Sequence, residues 1–191
     1  MTEFPAGYVT SLTRHLQSAV VDTVSPFTFA GQIQDWLGER WVLGLDVTVR
    51  RGPETRIFEA FANHILNKRR PFVYRDPGIR NTAHATITVD GAGQTGNTLV
   101  TAGWTVVGLG LGDFFSLGSG EEVRLYQLTA EVTPVDGAAT LHFVPALRSS
   151  PADGAEVEIA SPGVLLRAAS DVPPTLRADR TLLRIDAVEH L

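Results

Sequence analysis

A glycine-rich string is the feature of the sequence whose residue types first suggest chemistry. Residues 91–96 read GAGQTG and match the GxGxxG pattern of dinucleotide-binding loops, and Asp113 follows at nearly the spacing of a ribose-binding acid. That chemistry needs a helix N-terminus facing the pyrophosphate. The residues that follow, NTLVTAGWTVV, are β-branched and interrupted by glycine. They predict a strand, so we interpret the string as an ordinary loop.

Histidine, serine and cysteine form no pattern typical of a catalytic or metal site. The five histidines stand at positions 15, 64, 84, 142 and 190, and none has the partner four residues away that a helical zinc site requires. The sequence contains no GxSxG elbow, and GDFFSLGSG lacks the GK[ST] of a phosphate loop. Cys is absent, which excludes disulfides, thiolate zinc sites and a Cys nucleophile. We therefore expect no metal and no cofactor.

Acidic pairs are the remaining candidates for catalysis, because glycosidases use two carboxylates. The candidate pairs are Glu121/Glu122, Asp35/Glu39 and Asp171/Asp179. Each pair lies in or near a predicted turn, and the sequence defines no aromatic-rich cleft around any of them. We interpret them as solvated turn acids and expect no enzyme activity. Trp36, Trp41 and Trp104 are interpreted as core or subunit-interface residues rather than ligand-stacking ones.

Composition limits the class of protein. The chain has 191 residues, 43% of them hydrophobic, and a net charge of −5, which suits one compact domain or two small ones and disfavours nucleic acid as the main partner. No apolar run reaches the roughly 18 residues of a membrane span, so no membrane insertion is predicted. The N-terminal residues do not read as a signal peptide, and we expect synthesis in the cytoplasm.

Hydrophobic patterning predicts about a dozen strands and one helix. In the first half, residues 14–23, 27–36 and 41–49 read as strands, separated by turns at Ser25-Pro26 and Gly38-Glu39. Residues 1–13 carry no clear pattern. Trp41, Leu43, Leu45, Val47 and Val49 share one face under the two-residue period of a strand, and Asp46 and Thr48 lie on the other.

Residues 53–70 predict the helix. Pro53 suits the first helical position, and Ile57, Phe58, Phe61 and Ile65 share one face. The run Lys68-Arg69-Arg70 is interpreted as the last turn, where positive charge complements the helix dipole.

The second half is dense in turn signals. Residues 83–161 predict a small barrel inserted into a sandwich that combines residues 1–82 with 162–191. The string PVDG at 134–137 predicts a hairpin turn with AATLHFV as the returning strand. Because strand and helix do not alternate, a doubly wound parallel sheet is excluded. The predicted fold class is mainly β, with one helix.

The order of several segments resembles the distal tail proteins of long-tailed, siphovirus-like bacteriophages and phage-derived particles. The segments that carry the resemblance are AFANHILNKRRPFVYRDPG, VDGAGQTGNTLVTAGWT, the run from LGLGDFFSLGSGEE through Pro145 to Gly154, and the closing LLRIDAVEHL. The resemblance spans about residue 27 to the C-terminus. Gly93 departs from it, because it is inserted where Ala92-Gln94-Thr95 would otherwise be continuous.

The resemblance implies a fold, an assembly and a location. The fold would be a β-sandwich belt domain (residues 1–82 and 162–191) carrying an OB-like or galectin-like β-barrel (residues 83–161). The chain would form a homo-oligomeric ring, expected to be a hexamer, that joins the tail tube protein to the tail-tip hub protein of the baseplate. It would be a virion structural protein at the tail tip, made in the bacterial host cytoplasm. DNA would pass through the ring without specific binding, helped by a mildly acidic lumen.

Two sets of residues are predicted to make protein contacts. The ring-interface set is Trp41, Leu43, Arg50, Arg51, Lys68, Arg69 and Arg70. The accessory-contact set in the barrel loops is Glu121, Glu122, Arg148 and Asp153. Two alternatives to the distal tail function stay open, namely a carbohydrate-binding tail module for host attachment and another ring protein of the tail tube or head–tail joint.

Overall fold

The protein is mainly β, with two six-stranded antiparallel sheets and one α-helix in the part of the chain that the structure describes. The structure is a computed structural model describing residues 3–5, 8–65, 68–79, 86–105 and 108–191. The elements in chain order are β1 (Val9–Val24), β2 (Gly31–Arg50), α1 (Pro53–His64), β3 (Phe72–Arg75), β4 (Thr88–Val89), β5 (Thr98–Ala102), β6 (Phe114–Leu117), a 3-10 turn (Gly120–Glu122), β7 (Arg124–Leu128), β8 (Ala138–Val144), β9 (Val157–Glu158), β10 (Gly163–Ala168), β11 (Thr175–Leu176) and β12 (Arg180–Glu189). The predicted fold class is confirmed.

The first sheet has the order β1-β2-β12-β10-β3, with β11 paired to β12. The predicted alternation along β2 is confirmed, because the side chains of Trp41, Leu43, Leu45, Val47 and Val49 are all buried. They pack in one core with the inward-facing side chains of β12 and β10 and with the helix. The helix therefore covers one face of this sheet.

Helix α1 begins as predicted and ends earlier. Pro53 is the first helical residue, and the Thr55 hydroxyl accepts a hydrogen bond from the Gly52 N–H (3.3 Å). Phe58 and Phe61 are buried, but Ile57 is half-exposed, which corrects its predicted place on the buried face. Because the helix ends at His64, the run at residues 68–70 lies beyond it rather than in its last turn.

An N-terminal phenylalanine completes the first core. The Phe4 N–H donates to the Val73 carbonyl (2.8 Å), and the ring packs edge-on against Phe61 and Tyr74. Residues 3–5 therefore pack against the sheet, although the sequence around them carries no element pattern.

The second sheet closes almost into a barrel. Its order is β4-β5-β8-β7-β6-β9, and its ends meet because the Val157 N–H donates to the Ile87 carbonyl (2.9 Å). In its core the rings of Phe115 and Tyr126 stack, and Phe143 packs edge-on against both. The predicted hairpin turn at 134–137 and its return strand are present as a bridge at Val135 followed by β8.

The two sheets share no strand among the described residues. Strands β4–β9 lie between residues 88 and 158, and β10–β12 return to the first sheet. Strand membership thus falls on the expected sides of the boundaries at 82/83 and 161/162. The division into two domains stays a prediction.

Candidate functional site: an exposed hairpin arm and a basic strip

The glycine-rich string forms a turn held by one glutamine. The Gln94 side chain accepts a hydrogen bond from the Val100 N–H (2.6 Å) and donates to the carbonyls of Asp90 (2.8 Å) and Gly91 (3.0 Å). Strand β5 follows the turn, so no helix N-terminus faces it. Gly91, with positive φ, lets the turn reverse and donates its N–H to the Asp153 carboxylate. The string is a structural hairpin turn.

Two acids of the candidate pairs, Asp35 and Asp179, make local hydrogen bonds in this structure. The Asp35 carboxylate accepts a hydrogen bond from the Leu37 N–H (2.8 Å) and so caps its own turn. A side-chain hydrogen bond from Arg180 lowers the pKa of the exposed Asp179 carboxyl. A general acid needs the opposite shift. Among the described residues no group of three His, Asp or Glu side chains is placed to hold a metal ion.

The most unusual feature of the molecule is a long hairpin made by the distal halves of β1 and β2. We call residues 19–38 the arm. The sequence predicted a turn at Gly38-Glu39. Instead, β2 extends from Gly31 to Arg50, with a register shift against β1 near Gly38, and the hairpin continues beyond the half of β2 that pairs with β12. Of the arm's residues only Ser25 is partly covered, and all the others are exposed.

Eight large apolar side chains of the arm face solvent. They are Val20, Val21, Val24, Phe27, Phe29, Ile33, Trp36 and Leu37. Phe27 at the tip is 91% exposed and Leu37 is 85% exposed. Monomeric proteins rarely leave a contiguous apolar surface of more than a few hundred Å² in water. The arm therefore has the character of a binding element.

Unusual backbone geometry presents two of these apolar groups. Between the pairs Ser18–Glu39 and Val20–Asp35 the strands lose register, and Leu37 adopts a left-handed conformation (φ 57°). At the tip, Phe29 is also left-handed (φ 55°), and its N–H donates to the Ser25 carbonyl (2.9 Å). Such conformations cost free energy in large side chains. Both residues are highly exposed instead of being packed in the core.

The two faces of the arm differ in chemistry. Cross-strand partners point to the same face, so the pairs Val20–Asp35, Asp22–Ile33 and Val24–Gly31 make one face of three apolar residues and two carboxylates. We call this the acidic-apolar face. The opposite face carries the pairs Val21–Gln34 and Thr23–Gln32 and has no charge. The arm as a whole contains no Lys or Arg.

A second surface surrounds α1. We call it the basic strip, and its members are Arg50, Arg51, Arg56, Lys68, Arg69 and Arg70. All six are exposed, and none forms a salt bridge to a carboxylate within the described chain. The half-exposed Ile57 lies among them on the helix. Two acids, Glu54 and Glu59, lie on the same helix.

The seam between the two sheets is built around Trp41. The Trp41 indole N–H donates to the Leu125 carbonyl of β7 (2.8 Å), and its backbone N–H donates to the Glu189 carboxylate (3.1 Å). Glu189, whose side chain is fully buried, pairs with Arg148 from the loop after β8 (3.0 Å). Burial raises the pKa of the neighbouring Tyr126 hydroxyl, which accepts the Arg148 N–H. This seam fixes the barrel-like sheet against the first sheet.

The predicted contact residues thus separate into buried and exposed groups. Trp41 and Leu43 are buried within the chain, where they pack in the core of the first sheet, and their role in a ring interface stays a prediction. The five basic members of the predicted ring-interface set all belong to the exposed strip. Glu121, Glu122 and Asp153 are exposed in loops, whereas Arg148 belongs to the seam.

Sequence reasoning missed the arm as a site. The apolar residues were visible, but a strand pattern does not reveal whether its apolar side packs against a core. The available signal was the break in alternation at Asp35-Trp36-Leu37, after the alternating stretch at 27–34. Trp36 is exposed on the arm, while Trp104 is buried and donates its indole N–H to Thr101 (2.8 Å).

Two comparisons with known proteins gave no match. No protein-family model matches the sequence, and a search of curated proteins returned no match. Within the described residues, no helix has the length and apolar character needed to cross a membrane.

Proposed function

We propose that this chain is a non-catalytic structural subunit of a phage-like tail, which forms a ring of distal-tail type between the tail tube and the tail-tip hub. The observation that carries the proposal is the arm, with eight large apolar side chains that nothing in the described chain covers. An enzyme or a monomeric binding module has no need of such an element. A subunit that assembles with others buries it against a neighbour.

Ring closure follows from the kind of contact that a projecting arm makes. An arm that binds a different surface of the next copy forms a head-to-tail interface, and such interfaces generate rings when the rotation closes. In the proposed particle the ring is a hexamer at the tail tip, and DNA passes through its centre. The barrel-like sheet, fixed to the ring by the seam, presents its loops to accessory proteins.

The test compares the native mass of the wild-type chain with that of an arm-tip variant. Light scattering and negative-stain images of the wild type should show a multiple of the 20.6-kDa chain with a central hole. The double variant F27S/F29S should be monomeric at the same concentration. The matched control is L111S/V135S, which removes two similarly exposed apolar groups from the barrel-like sheet (71% and 67% exposed) and should leave the ring intact.

Two outcomes would contradict the proposal. The first is a wild-type chain that stays monomeric at every concentration. If it is also monomeric in the presence of tail tube and hub proteins, the chain forms no ring. A monomer that binds glycans on an array, with binding lost in barrel variants, would favour the carbohydrate-binding module instead.

A further inference from the structure

We infer, on the basis of the proposed function, that the acidic-apolar face of the arm docks on the basic strip of a second copy of this chain. The proposed ring requires that the arm contacts a neighbour. The inference adds which surface of the neighbour receives it. In this contact, carboxylates of the arm pair with guanidinium groups of the basic strip at the edges, and apolar side chains of the two surfaces pack together at the centre.

The arm supplies the acidic half of this match. On the acidic-apolar face each carboxylate stands directly opposite an apolar partner, as Asp22 does with Ile33 and Asp35 with Val20. With no basic residue among residues 19–38, the arm carries a net charge of −2. The stretch from Val20 to Val24 is about 13 Å long at the rise of a strand.

The helix surface supplies the basic half. Residues 50–70 hold six basic and two acidic side chains, giving a net charge of +4. The arginines bracket α1, which is about 18 Å long, and Ile57 is exposed between the two ends. A segment of about 13 Å therefore fits along the helix with arginines within reach of both carboxylates. The planar guanidinium is weakly hydrated and suits ion pairs at interfaces.

The chain cannot make this contact with itself. Ile33 and Arg50 lie on opposite sides of the register shift in β2, at most about 55 Å apart along the strand. The arm projects from one end of the strand, and α1 begins after the other end. A strand that is paired on both sides near its base cannot fold back to bridge that distance. The partner must be another molecule, and the two surfaces are different, so the interface is head-to-tail.

The experiment uses two complementary charge variants of the full chain. The arm variant is D22R/D35N, in which the amide that replaces the Asp35 carboxylate keeps an oxygen to accept the Leu37 N–H. The strip variant is R69E/R70E. Each variant alone places like charges in the proposed contact, and we expect association to weaken about tenfold or more in each. Circular dichroism and the thermal midpoint report whether either variant still folds.

Mixing the two variants is the decisive step. In an equimolar mixture the reversed arm of one variant matches the reversed strip of the other, and the native arm matches the native strip. We expect the mixture to recover the native mass of the wild type, in particles that contain both variants in equal number. Native mass spectrometry reads out this composition.

Controls match the size of each charge change on other surfaces. E131R/D90N makes the same change as the arm variant on exposed residues of the barrel-like sheet, and R167E/R177E matches the strip variant. Both controls should assemble like the wild type. The inference is overturned if the arm and strip variants assemble normally or if their mixture stays dissociated. If the wild type itself does not assemble, the proposed function has failed, a different result from normal wild-type assembly with no charge effect.

Discussion

Glu189 shows how a single buried charge depends on its partners. Its carboxylate is fully enclosed at the seam, where one oxygen receives the Trp41 N–H and an Arg148 N–H, while the other oxygen has no hydrogen-bond partner in the described chain. Removing one member of a buried ion pair leaves a charge without water or partner. The stability of the seam therefore depends on both members of the Glu189–Arg148 ion pair.

We expect R148M to lower the free energy of unfolding by about 3 kcal/mol, because Glu189 is left charged and buried. The double variant R148M/E189Q should recover part of that loss, since the amide that replaces the Glu189 carboxylate is neutral and still accepts the Trp41 N–H. Urea unfolding at neutral pH measures both. Equal stability of R148M and the wild type would contradict this account of the seam.

Tyr74 is a second buried polar residue, and the free-energy cost of burying its hydroxyl can be measured. Its hydroxyl has no hydrogen-bond partner in the described chain, and burial, helped by the Asp76 carboxylate and opposed by Arg14, raises its pKa. Because the folded state holds this proton more tightly, the unfolded state releases it first as the pH rises past about 10. The contribution of the Tyr74 hydroxyl to the free energy of unfolding is therefore fully present below about pH 10 and is lost as the pH rises above that value.

Y74F should be at least as stable as the wild type at pH 8, because it removes an unpaired buried hydroxyl. Between about pH 9 and pH 11 its stability should also fall less steeply than that of the wild type. Denaturant unfolding over this range gives both results. A parallel fall in the two proteins would assign the alkaline loss to other groups.

At the scale of elements, the turn at residues 90–97 depends on one side chain. Gln94 makes hydrogen bonds to Val100, Asp90 and Gly91 that hold β5 in register with the preceding strand. We expect Q94A to cost about 2 kcal/mol in the free energy of unfolding, which urea titration measures. Q34A, on an exposed arm residue, is the control and should be neutral; if both cost the same, the turn has no special role.

The strands, turns and helix also show which structural features local sequence patterns can predict. The alternation from Trp41 to Val49 and the turn signals at residues 134–137 depend on neighbours in sequence, and both predict the observed elements. The end of α1 and the extension of β2 past Gly38 differ from prediction. Gly38 lies in the register shift between the pairs Ser18–Glu39 and Val20–Asp35, and pairing with β1 resumes on both sides of the shift, so the hairpin continues past a glycine that by itself favours a turn.

At the scale of the whole molecule, the arm should be dispensable for folding. Replacing residues 19–38 by Asn-Gly joins Ser18 to Glu39, which already pair, through a two-residue hairpin loop. We expect a thermal midpoint within about 3 °C of the wild type, because no buried side chain is lost. Calorimetry gives the midpoint, and light scattering should show a monomer. A large loss of stability would mean that the arm supports the fold.

The particle as a whole should respond to salt. Exposed charges are screened as the Debye length falls from about 10 Å at 0.1 M salt to about 3 Å at 1 M. We expect the association of wild-type subunits to weaken as the salt concentration rises over that range. Contacts made by the apolar side chains at the arm tip, Phe27 and Phe29, should limit this loss. Sedimentation at several salt concentrations measures it, and tighter association at high salt would indicate that apolar contact alone joins the subunits.

The sequence by itself determined the mainly β class, the helix that begins at Pro53, the alternation along β2 and the absence of cysteine chemistry. These properties follow from composition and from periods of two and of 3.6 residues, which are local. It also showed the basic residues of the strip, whose exposure follows from their charge. Only the tertiary structure decided that Trp41 is a seam residue and that the apolar residues of the arm face water. Burial depends on which segments pack together across the chain, and no local period records that.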